Sequence, residues 1–82
     1  MTGEQRRAEA RAFYEAAGGE SLDGHSATGA VVHLGALPVP DGTVQVTLLL
    51  HVTPAGPVGL QVIVPVELAR LMGELLTRVA GR

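Results

Sequence analysis

The chain has 82 residues, 46% of them hydrophobic, and a formal net charge of −2 with no cysteine. A chain of this length fits one small domain, which we predict over residues 1–82. The acidic balance argues against nucleic acid as the main partner, because phosphate binding needs clustered Lys and Arg. The lack of cysteine excludes disulfides and thiolate metal sites.

The N-terminal segment, residues 1–19, predicts a helix that ends at Gly18-Gly19. Ala10, Phe13, Tyr14 and Ala17 recur at helical spacing and form a narrow apolar stripe. The stripe can pack against a partner or against the chain's own sheet, and we favour packing within the chain. Arg and Glu are mixed here without an apolar run, so we expect no signal peptide and a cytoplasmic location.

Residues 20–28 predict a loop, because Ser, Asp and Gly dominate them. Asp23, His25 and Ser26 are residue types used by hydrolases. A nucleophile elbow requires Gly two residues after the Ser, but Thr28 stands there. We therefore predict no catalytic residue and no enzymatic activity.

Residues 28–64 predict a three-stranded antiparallel sheet, with strands at 30–37, 43–53 and 58–64. Turns are expected at Asp41-Gly42 and across residues 54–57. Apolar and polar residues alternate along the second and third strands, which sorts them onto two faces of the sheet. The same alternation, with Pro and Gly in the middle, argues against a membrane span in this uncharged region.

Residues 65–80 predict an amphipathic helix that begins at Pro65 and covers one face of the sheet. Glycine destabilises a helix interior relative to alanine. Gly73 therefore marks a position where another helix can approach closely. The resulting fold class is α+β, with the order helix, three strands, helix. That order resembles double-stranded-RNA-binding domains, but their second helix begins with a Lys-rich cluster and this one with Pro65-Val66-Glu67.

The polar face of the predicted sheet carries four side chains with hydrogen-bonding or metal-binding chemistry: His33, Gln45, His51 and Gln61. Zinc or nickel sites need three or four ligands, and no Cys, Asp or Glu is expected beside these histidines. We therefore predict no metal and no cofactor. The two histidines can be solvated polar residues or a pH-sensing pair at an interface.

The low charge of residues 30–82 predicts a non-enzymatic protein–protein interaction or oligomerisation module, as a homodimer or as a small subunit of a larger assembly. The alternative is a small regulatory protein that binds nucleic acid or another regulator through Arg6, Arg7 and Arg11. The residues expected at the protein interface are the aromatics of the first helix, the apolar residues of the polar face and the helix glycine: Phe13, Tyr14, Val31, Leu49, Ile63 and Gly73.

Overall fold

A computed structural model describes residues 3–53 and 56–82 of the chain. Two helices flank four strands, which form one antiparallel sheet in the order β1-β2-β3-β4. The elements are α1 Gly3–Ala16, β1 Glu20–His25, β2 Val31–Val39, β3 Thr43–Thr53, β4 Gly56–Pro65 and α2 Val66–Ala80. The α+β class and the terminal helices are confirmed, while the first two residues of the predicted N-terminal segment and residues 54 and 55 of the predicted turn lie outside the described residues.

The prediction of three strands was wrong, because residues 20–25 form an additional edge strand where a loop was expected. Leu22 is the only large apolar residue of β1, so the segment lacks the alternating pattern by which strands are recognised. These residues form a strand because they pair with β2, from Glu20 opposite Ala36 to His25 opposite Val31. Their local sequence alone does not predict a strand. The fourth strand also separates this fold from the double-stranded-RNA-binding order.

The turn between β1 and β2 accounts for the polar residues at 26–30. The Ser26 amide donates to the Ala30 carbonyl over 2.8 Å, and its hydroxyl accepts a bond from the Ala30 amide over 3.0 Å. The Ser26 hydroxyl also lies 3.0 Å from that of Thr28. Ser26 is therefore a turn residue that satisfies local backbone groups.

The predicted turn at Asp41-Gly42 is confirmed, and it is tighter than expected because β2 continues to Val39. Gly42 has φ 86°, which few other residues adopt cheaply. The Asp41 carboxylate accepts bonds from the Thr43 hydroxyl at 2.6 Å and the Thr43 amide at 3.2 Å. Pro38 lies beyond the last β1–β2 pair, where β2 has one neighbour and the missing N–H is tolerated.

Strand register separates the side chains onto two faces, as the alternation predicted. Residues directly opposite each other in an antiparallel pair share a face, as Asp23, His33 and Leu49 do. The polar face is defined by Asp23, Val31, His33, Gly35, Gln45, Thr47, Leu49, His51, Gln61 and Ile63. The apolar face is defined by Leu22, Val32, Leu34, Ala36, Pro38, Val44, Val46, Leu48, Leu50, Val58, Leu60, Val62 and Val64, and the edge strand β1 adds Glu20 and Gly24 to this face.

Helix α1 packs on the polar face, next to β1 and β2. It ends at Ala16, and Gly18 at φ 81° turns the chain into β1. The ring of Tyr14 lies directly over Gly35, where a Cβ would clash with its Cζ, Cε1 and Oη atoms. Gly35 and its strand partner Thr47 are the only buried residues among those described. The contact of Tyr14 with Gly35 therefore fixes α1 on the sheet.

Helix α2 starts at Val66, directly after the last residue of β4. The Val66 amide donates to the Gly42 carbonyl over 3.2 Å, which ties the start of α2 to the β2–β3 turn. The helix contains no buried residue, so the expectation that it covers one face of the sheet was wrong. Within the described residues, neither α1 nor α2 has the length and hydropathy needed to cross a membrane.

The substitution Gly35→Ala should destabilise the protein by about 1–3 kcal/mol, because the added methyl group overpacks the site under Tyr14. Urea unfolding measures the loss. Gly24→Ala is the control, since no atom lies within 4 Å of a Cβ added there.

The double variant Tyr14→Ala/Gly35→Ala tests the same contact. Removing the ring also removes the clash, so the double variant should lose less stability than the sum of the two single variants. Strict additivity would show that Tyr14 does not rest on Gly35.

Candidate functional site

An extended apolar surface on one face of the sheet is left uncovered by both helices. Every side chain that β2, β3 and β4 place on the apolar face, within the described residues, is aliphatic or proline. Val58 and Leu60 on β4 are more than half exposed, and Leu22 on β1 is also exposed. Uncovered apolar patches of this extent mark interaction sites.

The apolar stripe of α2 is uncovered as well. The most exposed residue of the stripe is Leu76, at 68%. The exposed residues recur at helical spacing: Leu68, Leu71, Met72, Leu75, Leu76 and Val79. Ion-pairing residues occupy the opposite arc, where Arg70 donates to Glu67 over 2.6 Å. A helix with one apolar arc and one charged arc normally packs its apolar arc against another element.

The reason α2 does not cover its own sheet is the junction at Pro65. Strand-to-helix connections in compact domains usually contain about 2–6 residues, which let the helix turn back over the sheet. Here Pro65 belongs to β4 and Val66 to α2, so no residue remains for such a turn. The sequence carried this signal, because no polar or Gly-rich spacer separates the last strand from Pro65.

The chain exposes more surface than a typical folded monomer of its mass. The chain exposes 6064 Å². A monomer of 8.5 kDa typically exposes about 4,650 Å². The radius of gyration, 13.8 Å, likewise exceeds the value of about 11.7 Å typical of 82 residues. No hydrophobic residue among those described is buried.

A groove lies between the first half of α1 and the polar face of the sheet. It has a volume of about 400 Å³, which is within the range of about 300–1,000 Å³ typical of small-molecule sites. Ala10, Val31 and Leu49 contribute apolar lining. The polar lining comes from α1, β1, β2 and β3: Arg6, Arg7, Asp23, His33 and His51.

Two of the groove side chains are bonded to each other. His33 Nδ1 lies 2.7 Å from Asp23 Oδ1, and the two side chains are 13% and 22% exposed. The Tyr14 ring lies 6.1 Å from the His33 ring, centroid to centroid. Asp23 and Tyr14 therefore restrain the His33 ring from two sides.

The two sheet histidines line the same groove from diagonal positions, since His33 is opposite Leu49 and His51 is opposite Val31. Asp23, which was predicted to lie in a loop, joins them on this face. Among the described residues no group of three or more His, Cys, Asp or Glu is arranged to hold a metal ion.

The two guanidinium groups of the groove have no carboxylate partner. Neither Arg6 nor Arg7 forms an ion pair within the part of the chain that the structure describes. Of the three arginines named in the nucleic-acid alternative, Arg6 and Arg7 line the groove and Arg11 does not. The groove thus combines two unpaired cations with an apolar lining.

The residues predicted at an interface lie on different surfaces. Phe13 is 63% exposed beside Tyr14, with ring centroids 5.8 Å apart, whereas Tyr14 is half-buried on Gly35. Val31 and Leu49 line the groove, and Ile63 is 64% exposed elsewhere on the polar face.

Three further predicted residues also lie apart from one another. Gly73 lies on α2 with open space at its Cβ position. Gln61 Nε2 donates to the Thr47 hydroxyl over 3.2 Å, while Gln45 lies opposite Ile63. The apolar face was not included among the predicted interface residues, because α2 was expected to cover it.

Comparisons with known proteins supply no relative: no protein-family model, no curated protein and no solved structure matches the chain.

The pair formed by Asp23 and His33 should hold β1 on the sheet. Asp23→Ala should destabilise β1 locally by on the order of 1 kcal/mol, the scale of one lost hydrogen bond. Hydrogen exchange of the β1 amides should then accelerate roughly fivefold. Glu20→Ala on the same strand is the control and should leave exchange unchanged. Equal acceleration in both variants would mean that the His33 contact does not hold β1.

Proposed function

We propose that this chain is a non-enzymatic assembly module that forms a homodimer, with α2 of each copy lying across the apolar face of the other. The observation that carries the proposal is the simultaneous exposure of two surfaces of matching kind. One is an aliphatic sheet face, and the other is the apolar stripe of a helix. Helix-on-sheet packing is a standard way to bury such surfaces.

The junction at Pro65 favours packing of α2 on the sheet of another copy over packing on the sheet of its own chain. The two surfaces belong to elements joined without a loop, so each is held away from the other in its own chain. A second copy brings the same two surfaces without that restriction. Two-fold symmetry then lets both contacts form at once, and the assembly closes as a dimer.

The size of the uncovered area supports the same stoichiometry. The excess over a typical monomer is about 1,400 Å² per chain. Burial of that area on each of two copies removes about 2,800 Å² in total, which is in the range of obligate homodimers. Standard-size specific complexes, such as those of proteases with their inhibitors, bury less, at about 800 Å² per partner.

The distribution of charge is compatible with this arrangement. The described part of α2 carries its charged side chains away from the apolar stripe: Glu67, Arg70, Glu74 and Arg78. The apolar face of β2, β3 and β4 presents no charged side chain among the described residues. Docking the stripe on the part of this face formed by β2, β3 and β4 therefore buries no unpaired charge, which would otherwise cost several kcal/mol.

Two of the three polar groups that first suggested catalysis, Ser26 and Asp23, have structural partners, which supports a non-enzymatic role. The Ser26 hydroxyl is bonded within its turn, and Asp23 is bonded to His33. Ser26 and the Asp23–His33 pair are thus accounted for by a turn and by strand pairing.

Light scattering on a sizing column should give twice the 8.5 kDa chain mass at micromolar concentration. Leu76→Asp should shift the protein to monomer, because it places a carboxylate in the apolar stripe that α2 would bury in the dimer.

Thr77→Asp is the matched control for that variant. The two positions are adjacent in the last turns of α2, so both substitutions place the same charge near the negative end of the helix dipole. Thr77 is exposed on the arc away from the apolar stripe, so this variant should stay dimeric. A wild-type monomer at high concentration would refute self-assembly, and loss of the dimer in both variants would refute the assignment of the α2 stripe.

A further inference from the structure

We propose that the groove under α1 binds a small organic monocarboxylate, with its carboxylate on Arg6 and Arg7 and its apolar body against Val31 and Leu49. This site lies on the polar face of the sheet, opposite the apolar face to which the dimer is assigned. The inference therefore does not rest on the proposed function.

The cationic side of the argument comes from Arg6 and Arg7. Both line the groove, and neither has an ion-pair partner within the described chain. Arginine presents a planar fork of N–H donors that matches a carboxylate in bidentate geometry. Two such groups beside a groove of about 400 Å³ form a recognition site for an oxyanion.

The charge balance of the groove selects a monoanion. Among the described residues, its lining contains two arginines and one carboxylate, Asp23, which leaves one formal positive charge with the histidines neutral. A single ligand carboxylate neutralises that charge. A second negative group would meet the Asp23 carboxylate, which is committed to His33 over 2.7 Å and turns no donor toward a ligand.

The apolar lining selects an organic acid over an inorganic anion. Ala10 on α1 faces Val31 and Leu49 on the sheet across the groove. An aliphatic or aromatic body of a few carbon atoms buries these side chains from water, and each square ångström of apolar surface buried contributes about 25 cal/mol. A hydrated ion without such a body gains only the contact with the arginines.

The test is a titration of the ¹⁵N-labelled protein with benzoate, followed by amide chemical shifts. Saturable shifts should appear at the groove residues of α1, β2 and β3. Benzamide, which has the same shape without the charge, should bind at least tenfold more weakly. Phthalate, which carries a second carboxylate, should also bind more weakly than benzoate.

Charge-removing variants locate the contact. Arg6→Gln/Arg7→Gln should weaken benzoate binding at least tenfold while the amide spectrum stays dispersed, because both side chains are exposed on the helix surface. Arg11→Gln removes the same charge outside the groove and should change the affinity less than twofold. Leu76→Asp should retain benzoate binding, which separates this site from the dimer contact.

Three results would overturn the inference. These are the absence of saturable shifts with benzoate, equal affinity for benzoate and benzamide, or an equal loss of affinity in the Arg11→Gln variant. The last result would indicate attraction by the general charge of α1 and not by a built site.

Discussion

The direct succession of β4 and α2 at Pro65 and Val66 determines which surfaces of this protein remain uncovered. A helix needs a connecting segment to fold back over the strand that precedes it, and none is present. As a result, the apolar stripe of α2 and the apolar face of the sheet are held apart within one chain. A domain of this size has little apolar area to spare, so exposure of both surfaces leaves it without a buried hydrophobic residue among those described.

The other helix shows what a connection permits. Residues 17–19 link α1 to β1, with Gly18 in a left-handed conformation, and α1 folds back onto the polar face. The contact of Tyr14 with Gly35 holds it there. One helix thus lies on the face that carries the polar side chains, and neither helix covers the face that carries the aliphatic ones. The groove under α1 follows from the same placement, because Arg6 and Arg7 are brought over the sheet.

Most of the secondary structure was predictable from local pattern. Alternation identified β3 and β4, the Asp41-Gly42 pair identified a turn, and helical spacing identified α2. Strand β1 was missed because its partners lie on β2, and neither the pairing with β2 nor the contact of Asp23 with His33 is visible in residues 20–25 alone.

The candidate surfaces were harder to predict than the elements. Periodicity shows that α2 has an apolar stripe, but it does not show where the helix axis points after Pro65. Because α2 was expected to cover the apolar face of the sheet, the predicted interface included Leu49 and Ile63 on the polar face. Leu49 instead lines the groove under α1. Long-range placement of helices, set by connection length, was the missing information. The most direct test of the account is an isotope-filtered NOE experiment on a mixture of ¹³C-labelled and unlabelled chains. It should show contacts between Leu75 or Leu76 methyl groups of one copy and Val58 or Leu60 methyl groups of the other. Contacts between these groups only within one chain would contradict it.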